Sequence, residues 1–324
     1  MRPETPSPAA IPIALKWSTE TGKATTAFLC ADLAVTPMLR DDHAHYIDHW
    51  LKIMKGDKKA IFTARDGARR VYRQYGGGED LLVFMHGSGG DSRHLARFAT
   101  HLAAEAGIRI VTLDMRGRGE KPIRRGDVNH VDQQEWDIAD LVKPVSAEEP
   151  VQRFFVGEHS IGGGLALRYA SGNEMLKPDA VILLPPYVSR KSPSSRQGSG
   201  GWAQPRVSRF AGIEMLHRVG IHAFDQLPVV EFAVSPSRRD GFETPHYSWR
   251  LFNSVIPRSD WRADIARISA PILVLGAEKD VILRSEGCAA AFYGSRNTTV
   301  EIVQTLGISS LVFQMKRRRK LDVD

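Results

Sequence analysis

Apolar positions follow two regimes along the chain. Between Asp41 and Gly56, Tyr46, Ile47, Trp50, Leu51, Ile53 and Met54 recur at helical spacing. Asp41 and Asp42 stand where carboxylates suit a helix dipole, and Gly56 stands where a helix can stop. Residues 25–61 therefore read as helical, behind a Pro-, Thr- and Ser-rich leader (residues 1–24) with the composition of a poorly ordered segment. From Phe62 the pattern changes to short apolar runs alternating with amphipathic stretches. A DG turn at Asp66 and Gly67 separates two strand-like runs, and Leu81–Met85 has no polar break. Further strand-like runs occupy 108–114, 152–157, 180–185, 270–280 and 299–307, with helices predicted over 132–142 and 161–170. Strands without alternation, interleaved with helices, predict an α/β fold: a mainly parallel, doubly wound sheet covered on both faces. Residues 187–258 break the rhythm. They open with "SRKSPSSRQGSGGW" and continue with helical pieces such as "GIEMLHRVGI", which predicts a helical lid insertion over a substrate pocket.

Composition narrows the class without naming a chemistry. The chain has 324 residues, 42% hydrophobic and 25% charged, enough for one large α/β domain with a small appendage. No apolar run is long enough to span a bilayer, and the Pro-broken N-terminus argues against a cleaved signal peptide. Cys30 and Cys288 make no disulfide framework and no CxxC pair, which fits a reducing cytoplasm. The net charge of +7 includes five positive charges in one run, Lys316–Lys320, inside an atypical basic tail over 308–324. That reads as a solvated tail rather than a nucleic-acid surface.

Three strand ends carry residues suited to catalysis, the edge where open parallel sheets gather such groups. "HGSGG" (86–90) follows the first buried strand, and its backbone N–H groups could face a developing oxyanion. Ser160 follows "QRFFVG" and precedes Gly162, Gly163 and Gly164, the glycine content that a sharp strand-to-helix turn requires. Asp280 ends "APILVLGAEKD", where it could orient a histidine.

With "DMRGRGEKP" (114–122) and "EHSIGG" (158–163), these motifs in this order resemble the α/β-hydrolase-fold serine hydrolases of the lysophospholipase, monoacylglycerol-lipase and serine aminopeptidase S33 type, over residues 62–307. The resemblance implies Ser160 as nucleophile, Asp280 as the acid, and an oxyanion hole from the backbone N–H groups of Ser88 and Ile161. It implies no cofactor, a small acyl-ester or lipid substrate, and no integral membrane association. This chain departs from the pattern twice. Glu158 stands two before the nucleophile, where a small residue is usual, and is tolerable if it points to solvent. The base position after the last strand holds Ile308, and no histidine follows His246. His217, His222 and His246 lie in the lid and are the candidates for a substitute base.

Residues 25–64 resemble the C-terminal part of ArdC-type antirestriction proteins, zincin-like metallopeptidases, without their HExxH helix. His45 and His49 share a helix face, but Tyr46 stands where a catalytic Glu would, so the pair reads as solvated and no metal site is implied. A gene fusion at "FTA" accounts for both resemblances, and a frameshift or recombination for the tail. The functional expectation is an ester hydrolase whose triad is incomplete. The alternatives are an inactive pseudo-hydrolase that binds without turnover, and an antirestriction-related fragment.

Overall fold

A computed structural model describes residues 58–303, apart from 237, 238 and 259. The leader, the helix expected before residue 58, His45, His49, Ile308 and the basic tail lie outside the described residues. One boundary shifts. Lys58–Ile61, expected to close the helical segment, instead belong to strand β1 (Lys58–Thr63), which pairs antiparallel with β2 (Arg69–Tyr75). Ile61, Phe62 and Thr63 are residues that suit a pleated surface, and the DG turn supplies Gly67 at φ 81° to reverse the chain.

The remaining strands of the main sheet are β3 (Asp80–Met85), β4 (Arg109–Leu113), β5 (Arg153–His159), β6 (Ala180–Leu184), β10 (Ile272–Ala277) and β11 (Thr298–Val303). Their spatial order is β1-β2-β4-β3-β5-β6-β10-β11, and only β2 runs against the others. β4, β6 and β10 are buried at every position, the signature of strands covered on both faces.

Helix α1 (Ala96–Ala106) covers one face, where Phe98, Ala99 and Ala103 meet Leu82, Phe84 and Ile110. Helices α2 (Gln133–Glu148) and α3 (Gly163–Ser171) cover the other, with Ile138, Leu141, Leu165 and Leu167 against Val83, Val111 and Val156. α2 runs past Pro144, beyond the end predicted for it at 142. Buried Ile138, Leu141, Val142 and Val145 continue one face across the proline, so packing outweighs an interior-proline penalty of about 3 kcal/mol.

The insertion after β6 carries the expected helix, α4 (Val207–His217), and also a three-stranded antiparallel sheet: β7 (Ala203–Pro205), β8 (Pro228–Phe232) and β9 (His246–Ser248), in that order. Strands of three to five residues are too short to show a period. Helices α5 (Trp249–Val255) and α6 (Trp261–Arg267) return the chain to β10, and the short α7 (Cys288–Ala291) precedes β11. No helix among the described residues is long and apolar enough to cross a membrane.

Candidate active site

Ser160 sits at the carboxyl end of β5 with φ 66°, a left-handed conformation that costs a residue with a side chain roughly 1–3 kcal/mol. Two glycines permit the turn around it. A Cβ on Gly157 would lie 2.6 Å from the Phe84 ring on the neighbouring strand. One on Gly164 would lie 2.3 Å from Ile256 Cα. The turn is thus pressed between β3 and the α5–α6 connection, and the chain leaves it through a single 3-10 turn into α3. The Ser160 carbonyl accepts the Tyr187 N–H at 2.8 Å, which fixes the backbone from the other side.

The "HGSGG" loop lies against this turn. A Cβ on Gly87 would approach Ser160 Cβ to 3.3 Å and His159 Nδ1 to 3.0 Å, so any larger residue here would press the loop a few tenths of an ångström away from the turn. His86 is buried. Its Nδ1 contacts the Gly87 carbonyl at 2.9 Å, while Nε2 accepts the Met115 N–H at 3.4 Å, which fixes a neutral tautomer with Nδ1 as the donor. Burial, reinforced by the Arg118 charge, pushes its pKa down to about 3. His86 therefore shapes the loop and is no base for Ser160. The Ser88 hydroxyl accepts from Trp202 Nε1 at 2.8 Å, tying the loop to the insertion. The Gly89 N–H donates to the Tyr247 hydroxyl at 3.1 Å, which Arg118 Nη1 also reaches at 3.0 Å. The sequence reading missed this Arg118–Tyr247 support; "DMRGRGEKP" contains Arg118, but nothing in its spacing links it to Tyr247.

Asp280 stands on the turn after β10, two strands from β5 at the same sheet edge. Its Oδ1 accepts the N–H groups of Ile282 and Leu283 at 2.7 and 2.9 Å. Its Oδ2 is buried and has no hydrogen-bond partner among the described residues. Burial pushes this carboxyl above its ordinary range. One oxygen is thus clamped by backbone and the other left open, which suits a carboxylate that takes an N–H donor.

Glu158 corrects an expectation. It does not reach solvent: it is 0% exposed, beneath α3, where Oε2 accepts the Ala166 N–H at 3.3 Å and Oε1 has no partner among the described residues. Side chains alternate along β5, so Glu158 lies on the same face as Phe154 and Val156, which α3 covers, rather than toward water. Burial raises its pKa well above the ordinary 4.5, and the single N–H bond offsets this only in part. The folded state thus holds this proton more tightly than the unfolded chain does. Its stabilising effect is complete below pH 4.5 and falls as pH rises toward the folded-state pKa, by about 1.4 kcal/mol per unit at most. Glu158→Gln should therefore gain on the parent by upwards of ~1 kcal/mol between pH 5 and pH 8. Urea unfolding of both proteins at the two pH values measures this, and the His86 contribution cancels in the difference. Parallel pH profiles would show that Glu158 is ionised in the fold.

The three histidines of the insertion are engaged elsewhere. His217 Nε2 lies 2.5 Å from Asp225 Oδ1, and His222 Nδ1 lies 3.5 Å from Asp225 Oδ2. His246 stands on β9 beside Gly126. None of these three histidines is hydrogen-bonded to the Ser160 hydroxyl. The site therefore brings together Ser160, the Ser88 loop and Ile161 at one strand end and Asp280 two strands away, while position 308 lies outside the described residues.

The strand order, the single antiparallel strand and a left-handed serine after β5 define an α/β-hydrolase fold. Residues 78–305 match the family described as serine aminopeptidase, S33, and the chain belongs to that family. Residues 21–67 match a zincin-like metallopeptidase description. Protein phosphatase methylesterase 1 of Bos taurus is 31% identical over 115 residues, 35% of this chain and 30% of that protein, so the chain spans about a third of this curated relative. Among solved structures, a soluble variant of the monoglyceride lipase of Saccharomyces cerevisiae, in complex with a substrate analog, superposes with a TM-score of 0.57. It is 16% identical, and the match covers 78% of this chain and 87% of that one. The monoacylglycerol lipase of Paleococcus ferrophilus gives a TM-score of 0.52 at 22% identity, covering 72% and 88%. At these identities the structures speak for the fold alone.

Proposed function

We propose that this protein is a carboxylic-ester hydrolase in which Ser160 is the nucleophile and the general base is the missing part. The observation that carries the reading is the φ of 66° at Ser160, strain that a mere helix start would not need. In this reading the Ser160 hydroxyl attacks an acyl carbonyl, and the Ser88 and Ile161 N–H groups receive the oxyanion. An imidazole oriented by Asp280 Oδ2 would take the Ser160 proton and pass it to the departing alcohol as the acyl-enzyme forms, and water, deprotonated by the same imidazole, would then release the acid and free Ser160. Lipid monoesters and the methyl ester of a protein carboxylate are the substrate classes that the similar proteins suggest.

Ile308 cannot accept a proton, so the native chain should acylate slowly. Labelling with a fluorophosphonate probe tests this. We expect slow labelling at Ser160, absent in Ser160→Ala and accelerated by free imidazole, whose N–H can occupy the open Asp280 oxygen. No Ser160-dependent labelling, with or without imidazole, would overturn the reading. It would favour the alternative, a non-catalytic binder.

A further inference from the structure

The sequence reading weighed His217 and His222 only as substitute bases. The fold places both against one carboxylate. Helix α4 ends at His217, and Gly220, at φ 77°, reverses the chain: the Gly220 N–H donates to the His217 carbonyl and the Ile221 N–H to the Leu216 carbonyl, each at 3.0 Å. This left-handed cap folds His222 back until the two imidazole rings are 4.4 Å apart. A second turn, with the Asp225 N–H on the His222 carbonyl at 3.4 Å, brings Asp225 beneath both rings. One carboxylate oxygen then faces each ring, at 2.5 and 3.5 Å. The three donor atoms all lie within 4.8 Å of one another.

The surroundings hold the group in place and leave it open to entry. The His217 ring stands edge-on to Trp249 at 4.2 Å, and Trp249 Nε1 donates to Glu214 on the preceding turn of α4 at 2.7 Å. The Asp225 carbonyl accepts the Arg250 N–H at 3.1 Å, tying the turn to α5. The side chains of His217 and Asp225 are 15% and 11% exposed, whereas that of His222 is 65% exposed.

We propose that His217, His222 and Asp225 bind a divalent transition-metal ion of the zinc class. Two imidazoles and one carboxylate select zinc, cobalt or nickel over magnesium and calcium, which prefer all-oxygen shells. Around an ion about 2.0–2.1 Å from each donor, tetrahedral ligands stand roughly 3.3 Å apart. The two imidazole–carboxylate contacts bracket that spacing and no pair of donors is more than 4.8 Å apart, so loading asks only for side-chain shifts of up to about 1.5 Å. The exposed side of His222 leaves the fourth position to water. The ion would be structural: it would clamp the 218–225 turn, which carries the exposed Ile221 and Phe224, onto α4 and α5.

The test uses the untagged full-length chain, stripped with chelator and titrated with Co²⁺ and then Zn²⁺. We expect one Co²⁺ per chain with the visible absorption of a tetrahedral site, displaced by Zn²⁺, and a thermal midpoint raised by Zn²⁺. His222→Ala, at an exposed position, and Asp225→Asn, which keeps the volume, should each weaken binding at least tenfold and abolish the thermal shift. Circular dichroism would verify that both variants stay folded. Absence of saturable binding would overturn the proposal. So would binding that both variants retain, which would place the ion elsewhere on the chain, for instance among His43, His45 and His49.

Discussion

Ile308→His is expected to raise kcat/KM for a p-nitrophenyl ester by at least about a hundredfold, the lower end of what a positioned general base contributes. Three observations prepare the site for it. Ser160 is already in the left-handed turn, the "HGSGG" loop already packs against it at Gly87, where a Cβ would lie 3.3 Å from Ser160 Cβ, and Asp280 already has one oxygen clamped and the other without a partner among the described residues. The gain should vanish when Ser160→Ala is added, and should fall by about tenfold or more when Asp280→Asn leaves the imidazole poorly oriented. Because a catalytic imidazole must be neutral to accept the proton, activity should rise with pH through roughly 6.5. Steady-state kinetics on the single and double variants decide the matter. No increase over the parent would mean that position 308 is not where the base belongs.

The second large effect concerns packing. Gly164→Ala should destabilise the fold by about 3 kcal/mol or more, since its Cβ would lie 2.3–2.5 Å from Ile256 Cα, Pro257 Cδ and the Ile256 carbonyl carbon. Two of these are backbone atoms, so no rotamer change relieves the overlap. α3 or the α5–α6 connection must move, and the Ser160 turn with it. Gly212→Ala is the matched control: it sits within α4 with open space around the position, and should be neutral or stabilising by about 1 kcal/mol. Thermal unfolding of the two variants should separate them by several degrees. Similar midpoints would mean that the close approach at Gly164 is not real.

The parallel sheet was legible because β6 and β10 are unbroken apolar runs and β3 and β5 carry apolar stretches (Leu81–Met85, Phe154–Val156), and the serine turn because "EHSIGG" clusters glycines after one of them. Other features rest on contacts between segments distant in sequence. Glu158 looks like a surface charge until the strand's alternation is tied to the position of α3, and only then is it buried. The Arg118–Tyr247 pair joins residues 129 apart, and the three short strands of the insertion offer no period to detect. His217, His222 and Asp225 form a visible HxxxxHxxD spacing, yet only the Gly220 reversal turns that spacing into proximity.

The left-handed serine sets stability against side-chain identity at one position. Glycine would hold that conformation without strain, so stability alone favours replacing Ser160 by glycine. Holding serine rather than glycine at 160 therefore costs the fold stability, which contacts such as the Tyr187 N–H on the Ser160 carbonyl must offset.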